Sequence, residues 1–144
     1  MVTAFVHRNL PRLLLQARES VMAQTRPSLR EHGLSDQQRR VLRVLGEHGV
    51  VDTGRVAREA FILGPSLTGV LGRMERDGLI RRSRDTADQR RSVVEPTAKG
   101  RAAVERLSHA IEAHYAFMEK SLGKQKLARL YRLLDAVIEL ERPQ

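Results

Sequence analysis

Residues 81–91 carry a high density of charge whose types and spacing suit contact with a polyanion. Five of these eleven residues are arginine and two are aspartate. An arginine at a hairpin tip can enter the minor groove of duplex DNA, where the potential is strongly negative. Asp88 can hold such an arginine in place through a charge-assisted hydrogen bond. We therefore predict that Arg90 enters the minor groove. The arginines predicted to contact phosphates are Arg81, Arg82, Arg84 and Arg91. A solvated basic hairpin is the alternative.

The stretch just before these arginines has one apolar face and one small, polar face. Its apolar residues, spaced i, i+3, i+4 and i+7 as on a packed helix, are Leu67, Val70, Leu71 and Met74. The other face carries Pro65, Ser66, Thr68, Gly69, Gly72, Arg73 and Arg76. Small side chains there let the backbone approach the major groove. Ser66 and Thr68 can contact phosphates or bases, and Arg73 can meet a phosphate or a guanine. An ordinary solvated helix face is the alternative.

The surrounding elements are mostly helices. Apolar periodicity predicts a first helix over residues 9–31, which Gly33 ends and in which Pro27 should produce a kink or start a new segment. Ser35 and Gln38 can form a capping box for a second helix. A third helix, capped by Asp52 or Thr53, includes Val56, Ala57, Ala60 and Phe61.

The rest of the chain supplies a hairpin and two long helices. Residues 79–84 and 92–95 read as two short strands joined by the charged loop. Two apolar helices follow, the first capped by Thr97 and broken from the second at Gly123. The predicted fold is mainly α with a small β-hairpin wing. It consists of a winged helix-turn-helix DNA-binding lobe and a helical dimerisation region. The apolar flanking helices need a partner surface, and a second copy is the simplest one.

Bulk composition agrees with a nucleic-acid partner. Lys and Arg number 26 against 17 Asp and Glu, which gives a formal net charge of +9. There is no cysteine, so disulfides and thiolate sites are excluded. No apolar run is long enough for a membrane span or a signal peptide, so we expect a cytoplasmic protein.

Catalysis and metal binding have no supporting pattern. There is neither a nucleophile elbow nor a phosphate loop. His109 and His114 are five residues apart, which is not the i, i+4 spacing of helical metal ligands. We expect no enzyme activity, no cofactor and no metal.

Five stretches together resemble the MarR family of transcription regulators. They are residues 34–38, 65–71, 74–80, 85–91 and 97–100, with Pro96 where the family usually has leucine. Residues 13–19 and 65–71 are most similar to the subgroup that regulates degradation of homoprotocatechuate and related aromatic acids.

The resemblance implies a homodimer, formed by the first, fifth and sixth helices, that binds a palindromic operator. It also implies repression that a small aromatic carboxylic acid relieves. Because the chain has no cysteine, thiol sensing is excluded and ligand sensing is favoured. The chain is then a single MarR-like domain over residues 1–144. Its DNA-binding lobe covers 35–96, and its dimerisation region covers 1–34 and 97–144. The alternative is a basic nucleic-acid-binding architectural protein without ligand control. The chain has only three Phe, two Tyr and no Trp, which leaves few side chains on which single-stranded RNA bases could stack.

Arg18 is the most informative residue outside the DNA-binding face. On a helical wheel it lies about 40° from Leu14, inside the apolar stripe of the first helix. A guanidinium buried there needs an anionic partner. One hypothesis is that Arg18 binds the carboxylate of an aromatic acid, with Gln16, Met22 and His114 as further ligand-binding residues. The alternative is a structural ion pair, for example with Glu19, or an arginine that reaches solvent.

Overall fold

The structure, a computed structural model, describes residues 4–140. The helices are α1 (Leu10–Glu31), α2 (Asp36–His48), α3 (Thr53–Ala60), α4 (Gly64–Arg76), α5 (Ala98–Leu122) and α6 (Lys124–Ile138). The strands are β1 (Val51–Asp52), β2 (Ile80–Arg84) and β3 (Ser92–Pro96). The predicted order of elements is confirmed. The ends of the predicted dimerisation region, residues 1–3 and 141–144, lie outside the described residues.

Local signals in the sequence fix most helix boundaries. Ser35 and Gln38 form the predicted capping box, in which the Ser35 hydroxyl accepts from the Gln38 amide at 3.1 Å. Asp52 accepts from the Arg55 amide at 3.0 Å and so caps α3. Gly78 has a φ of +75°, a conformation that favours glycine, and it turns the chain from α4 into β2.

The three strands form one antiparallel sheet in the order β1-β3-β2. The register of the hairpin pairs Ile80 with Pro96 and Arg84 with Ser92. The winged helix-turn-helix is therefore confirmed, with β1 as a third strand beside the predicted hairpin. The side chains of β2 are thereby held next to α4, which precedes them.

The core lies where the helical periodicity places it. The apolar positions of α2, namely Val41, Leu42, Val44 and Leu45, are all buried, as are the four predicted positions of α4. The chain divides into two compact units, one that ends at Ser108 and one that begins at His109. The predicted division between a lobe over 35–96 and a flanking helical region stays a prediction.

Helix α1 continues through Pro27 as one helix, so the proline does not start a new segment, and the alternative of a kink stays a prediction. The ring removes one amide donor from the helix, whereas Met22, Thr25 and Leu29 on either side of it are buried. Burial of this face compensates for the lost hydrogen bond. Within residues 4–140, no helix has the combined length and apolar character needed to cross a membrane.

Candidate nucleic-acid interface

Helix α4 presents its small and polar residues to solvent, as the sequence predicts. The exposed residues are Pro65, Ser66, Thr68, Gly69, Arg73 and Arg76, and Gly72 is half-buried. The opposite face is anchored by Leu67, Val70, Leu71 and Met74 in the core. No side chain caps the first turn, since the residue before the helix is Leu63. The start of α4 is therefore open to an incoming partner.

Arg73 is an exposed cation on this face. A Cβ atom at Gly69 would lie 3.4 Å from the Arg73 Nη1 atom, so the guanidinium folds back over the glycine one turn earlier. Thr68 is constrained differently, because its hydroxyl donates to the Gly64 carbonyl at 3.3 Å. The glycine thus gives the arginine room to swing between the helix surface and a phosphate or base edge.

The loop between β2 and β3 has a defined shape. The Asp85 amide donates to the Arg91 carbonyl at 2.9 Å, and the Arg91 amide donates to the Asp88 carbonyl at 3.0 Å. The Asp85 carboxylate also accepts from the Ala87 amide at 3.0 Å. These bonds close the loop on itself and fix the direction of its tip.

Arg90 stands at this tip and is the most exposed of the paired arginines on the wing. Its side chain is 93% exposed, and its Nε atom lies 3.3 Å from Asp88 Oδ1. The same carboxylate oxygen accepts from the Arg90 amide at 3.1 Å. The orienting contact between Asp88 and Arg90 predicted from the sequence is present. An exposed pair of this kind is weak, so the guanidinium is available to DNA.

The other four arginines of the wing differ in their partners. Arg91 bonds Asp52 at 2.9 Å and lies 3.8 Å from Asp85, which ties the loop to the start of α3. Arg81 pairs across the hairpin with Glu95 at 3.2 Å, and Arg82 pairs with Glu75 of α4 at 3.1 Å. Within residues 4–140, the side chain of Arg84 makes no hydrogen bond or ion pair, although its backbone is paired with Ser92 in the sheet. Arg91 and Arg82 therefore position the wing, in addition to their predicted role as phosphate contacts.

Asp52 is ionised in this arrangement at unusually low pH. The hydrogen bond from the Arg55 amide, together with Arg91, outweighs burial and lowers the pKa of Asp52 below its ordinary value. A pKa that is lower in the folded chain makes the ionised form stabilising above the ordinary value of 3.8. That contribution is lost as the pH falls through the lower folded pKa.

We expect Asp52→Asn to remove the carboxylate charge and keep the helix cap, because asparagine also caps helices well. At neutral pH the free energy of unfolding should fall by less than about 1 kcal/mol, since the pair with Arg91 is partly exposed. As the pH falls from 3.8 through the lower folded pKa, the difference from the parent should shrink toward zero. Chemical denaturation across this range measures it, with Glu47→Gln as a control pair on α2. A difference that stays constant with pH would contradict the assignment.

Arg18 is half-exposed and already paired. Its Nη2 atom donates to Asp36 Oδ2 at 2.7 Å, its Nη1 atom lies 3.8 Å from Glu19, and its side chain is 44% exposed. The structure thus contains an ion pair of the alternative kind, with Asp36 as the main partner. Of the other predicted ligand-binding residues, Gln16 is exposed, Met22 belongs to the core, and His114 is half-buried in the second unit.

Asp36 and Arg40 are the important residues that the sequence reasoning missed. Asp36 accepts from Arg39 at 2.9 Å as well as from Arg18, and Arg40 lies 3.3 Å from it. Burial opposes the charge of Asp36, yet the hydrogen bonds from Arg39 and Arg18 outweigh it and lower the pKa of the carboxyl. The i, i+4 spacing of Asp36 and Arg40 is the signal that could have revealed the pair.

Comparisons with known proteins agree with this geometry. A model of the MarR family matches residues 32–91. The chain is 38% identical over 141 residues to the HTH-type transcriptional regulator FarR of Neisseria gonorrhoeae. This alignment covers 98% of this chain and 97% of FarR. It is 41% identical over 135 residues to the homoprotocatechuate degradative operon repressor of Escherichia coli, which covers 94% of this chain and 91% of that protein.

A solved structure extends the similarity to the whole fold. The crystal structure of NadR in complex with 4-hydroxyphenylacetate superposes with a TM-score of 0.85 at 38% identity. The match covers 98% of this chain and 100% of that one. The winged helix-turn-helix and the flanking helices therefore resemble the fold of a protein that was crystallised with 4-hydroxyphenylacetate.

Proposed function

Because this chain belongs to the MarR family, we propose that it is a ligand-responsive transcriptional repressor of an aromatic-compound catabolic operon. The observation that carries the proposal is the exposed polar face of α4 beside a wing whose tip is Arg90. A helix with small side chains and an adjoining arginine-tipped hairpin suit simultaneous contact with a major and a minor groove. This arrangement supports specific recognition of duplex DNA and gives no support to an enzyme.

We assign the contacts as follows. The exposed residues of α4 read base edges, and Arg90 enters the minor groove. The arginines assigned to phosphates are Arg81, Arg82, Arg84 and Arg91. A palindromic operator would present two such half-sites one helical turn apart, roughly 34–36 Å between the centres of the two recognition helices.

Homodimer formation is supported by apolar residues that one chain leaves exposed. In α1 these are Leu10, Leu14 and Leu15, and in α6 they are Leu130, Tyr131, Leu133, Val137 and Ile138. Several exposed apolar side chains on one helix are costly in water and are usually covered by a partner. A second copy of the chain is the partner that a palindromic operator requires.

The effector class follows from the relatives. The E. coli relative is named for homoprotocatechuate, and NadR was crystallised with 4-hydroxyphenylacetate; both compounds are phenylacetic acids with ring hydroxyls. We propose that a small hydroxylated aromatic acid releases this repressor from its operator. The test is a titration of the operator complex with 4-hydroxyphenylacetate, using 4-hydroxyphenylethanol as the analogue without a carboxylate. Release by the alcohol at the same concentration, or by neither compound, would contradict this effector class.

Arg18 is the residue we propose to bind the effector's carboxylate. The ligand would compete with Asp36 for the guanidinium, which is half-exposed and so reachable from solvent. We expect Arg18→Ala to raise the concentration of acid needed for half-release by about 10- to 100-fold, because a charge-assisted hydrogen bond is lost. Fluorescence anisotropy of labelled operator DNA measures the shift.

Arg26→Ala is the matched control for Arg18→Ala, since Arg26 also lies on α1 and pairs with Glu19 at 2.9 Å. Its response to the acid should equal that of the parent. An unchanged response in Arg18→Ala would leave Arg18 as a structural partner of Asp36 and would overturn its role in ligand binding.

A further inference from the structure

A single carboxylate oxygen joins α1 to α2 near the start of the DNA-binding lobe. Asp36 Oδ2 lies 2.7 Å from Arg18 Nη2 and 3.3 Å from Arg40 Nε, while Asp36 Oδ1 accepts from Arg39. The Arg40 Nε atom is buried and makes no hydrogen bond, so its contact with Asp36 is electrostatic and poorly aligned. Arg40 is thus held at one end by charge alone.

The other end of Arg40 reaches the turn that leads into α4. Its Nη1 atom donates to the Ala60 carbonyl at 2.7 Å and to the Phe61 carbonyl at 3.1 Å. Ala60 is the last residue of α3, where helical carbonyls lack backbone partners and a positive charge is favourable. Arg40 therefore satisfies the end of α3 from a neighbouring helix.

The turn needs such support. Phe61 has a φ of +55°, and no other non-glycine residue among residues 4–140 has a positive φ. The left-handed conformation is unfavourable for a side chain with a Cβ atom, and persists only when the surroundings hold it. The Phe61 side chain contributes little, because it is 86% exposed. The sequence pattern had placed Phe61 in the third helix, which instead ends at Ala60.

We propose that Arg40 is a positioning residue for DNA reading, which holds the 61–63 turn and so sets the direction of α4. It does so without touching DNA, because its side chain is turned inward to Asp36 and the two carbonyls. The inference rests on the proposed function in that α4 is taken as the recognition helix. The backbone closes the turn through the Ile62 amide, which donates to the Ala57 carbonyl at 3.0 Å, and the buried Ile62 side chain anchors it. Arg40 adds the contacts to the Ala60 and Phe61 carbonyls.

The test compares Arg40→Met with Arg43→Met. The second variant removes an arginine of the same helix whose partner among residues 4–140 is Glu47. For each protein, affinity is measured for the operator and for a random duplex over a salt series. We expect Arg40→Met to weaken operator binding by about tenfold or more, the size of one lost base contact. Random-duplex affinity and the salt slope should be unchanged, since no phosphate contact is lost. Arg40→Lys should fall between parent and Arg40→Met.

Amide hydrogen exchange supplies a second readout that needs no DNA. The amides of residues 61–68 should exchange faster in Arg40→Met than in the parent, and at the parent's rate in Arg43→Met. If the parent chain shows no preference for the operator, the proposed function fails, and exchange alone still decides whether Arg40 holds the turn.

Three results would overturn the inference. The first is an operator affinity of Arg40→Met equal to that of the parent, and the second is unchanged amide exchange in residues 61–68. The third is an equal loss of affinity for operator and random duplex with a shallower salt slope, which would make Arg40 a phosphate contact. Should Arg40→Met not fold, Arg40→Lys decides the question by the same criteria.

Discussion

Arg90→Ala is expected to weaken binding of the operator by about 10- to 100-fold at physiological salt. The side chain stands at the tip of a closed loop, almost fully exposed, and Asp88 directs it outward. An arginine in a narrow minor groove gains from the strongly negative potential there, and alanine cannot replace that contact. Fluorescence anisotropy with the operator and with a random duplex measures the effect.

The matched control for Arg90 is Arg106→Ala, which removes the same charge from an exposed position on α5. It should reduce affinity only slightly, through the change in net charge. The loss in Arg90→Ala should be larger for an operator with an A·T-rich flank than for one with a G·C-rich flank. Equal losses for the two arginine variants would remove the wing tip from the proposed interface.

Gly100→Ala is expected to destabilise the fold by about 3 kcal/mol or more, a large part of the stability of a small domain. A Cβ atom at Gly100 would lie far inside van der Waals contact of the Leu79 carbonyl oxygen. That carbonyl belongs to the backbone and also accepts from the Thr97 amide at 3.1 Å. The clash can be relieved only by moving β2 away from the start of α5. Thermal and chemical unfolding measure the loss.

Gly46→Ala provides the contrast, since a Cβ atom there would meet only a Val104 methyl group at an ordinary 3.7 Å. In the interior of α2 alanine is favoured over glycine, so the variant should gain about 1 kcal/mol. If Gly100→Ala were as stable as the parent, the close approach of α5 to β2 would be wrong.

Much of the architecture could be predicted because its signals are local. The capping box at Ser35, the cap at Asp52 and the glycine at residue 78 each determine a boundary through their own backbone chemistry. The periodic apolar residues of α2 and α4 could likewise be assigned to the core, since a period of 3.6 leaves one face for packing. The hairpin followed from two short segments around a charged loop.

Features that depend on tertiary contacts could not be predicted in this way. The continuous path of α1 through Pro27 depends on burial of residues on both sides, which propensity does not encode. The carbonyl of the left-handed Phe61 accepts a hydrogen bond from Arg40, twenty-one residues earlier in the chain. The apolar pattern of α3 includes Phe61, so this pattern could not show that the helix ends at Ala60, one residue earlier.

The candidate interface shows the same division. Exposure of the polar face of α4 and the contact between Asp88 and Arg90 follow from spacing within a single element. The pairing of Arg91 with Asp52 joins residues 39 positions apart, and the pairing of Arg18 with Asp36 joins two helices. Only the folded chain distinguishes arginines that orient the wing from those left available to DNA.

The most direct test of this account measures whether the protein selects its own DNA. The upstream intergenic region and a random duplex of equal length are titrated by anisotropy over a salt series. We predict binding of one dimer to the upstream region, about 10³-fold or more tighter than to the random duplex at physiological salt. Equal binding to both duplexes, with the same steep salt dependence, would contradict the account and leave a basic architectural protein.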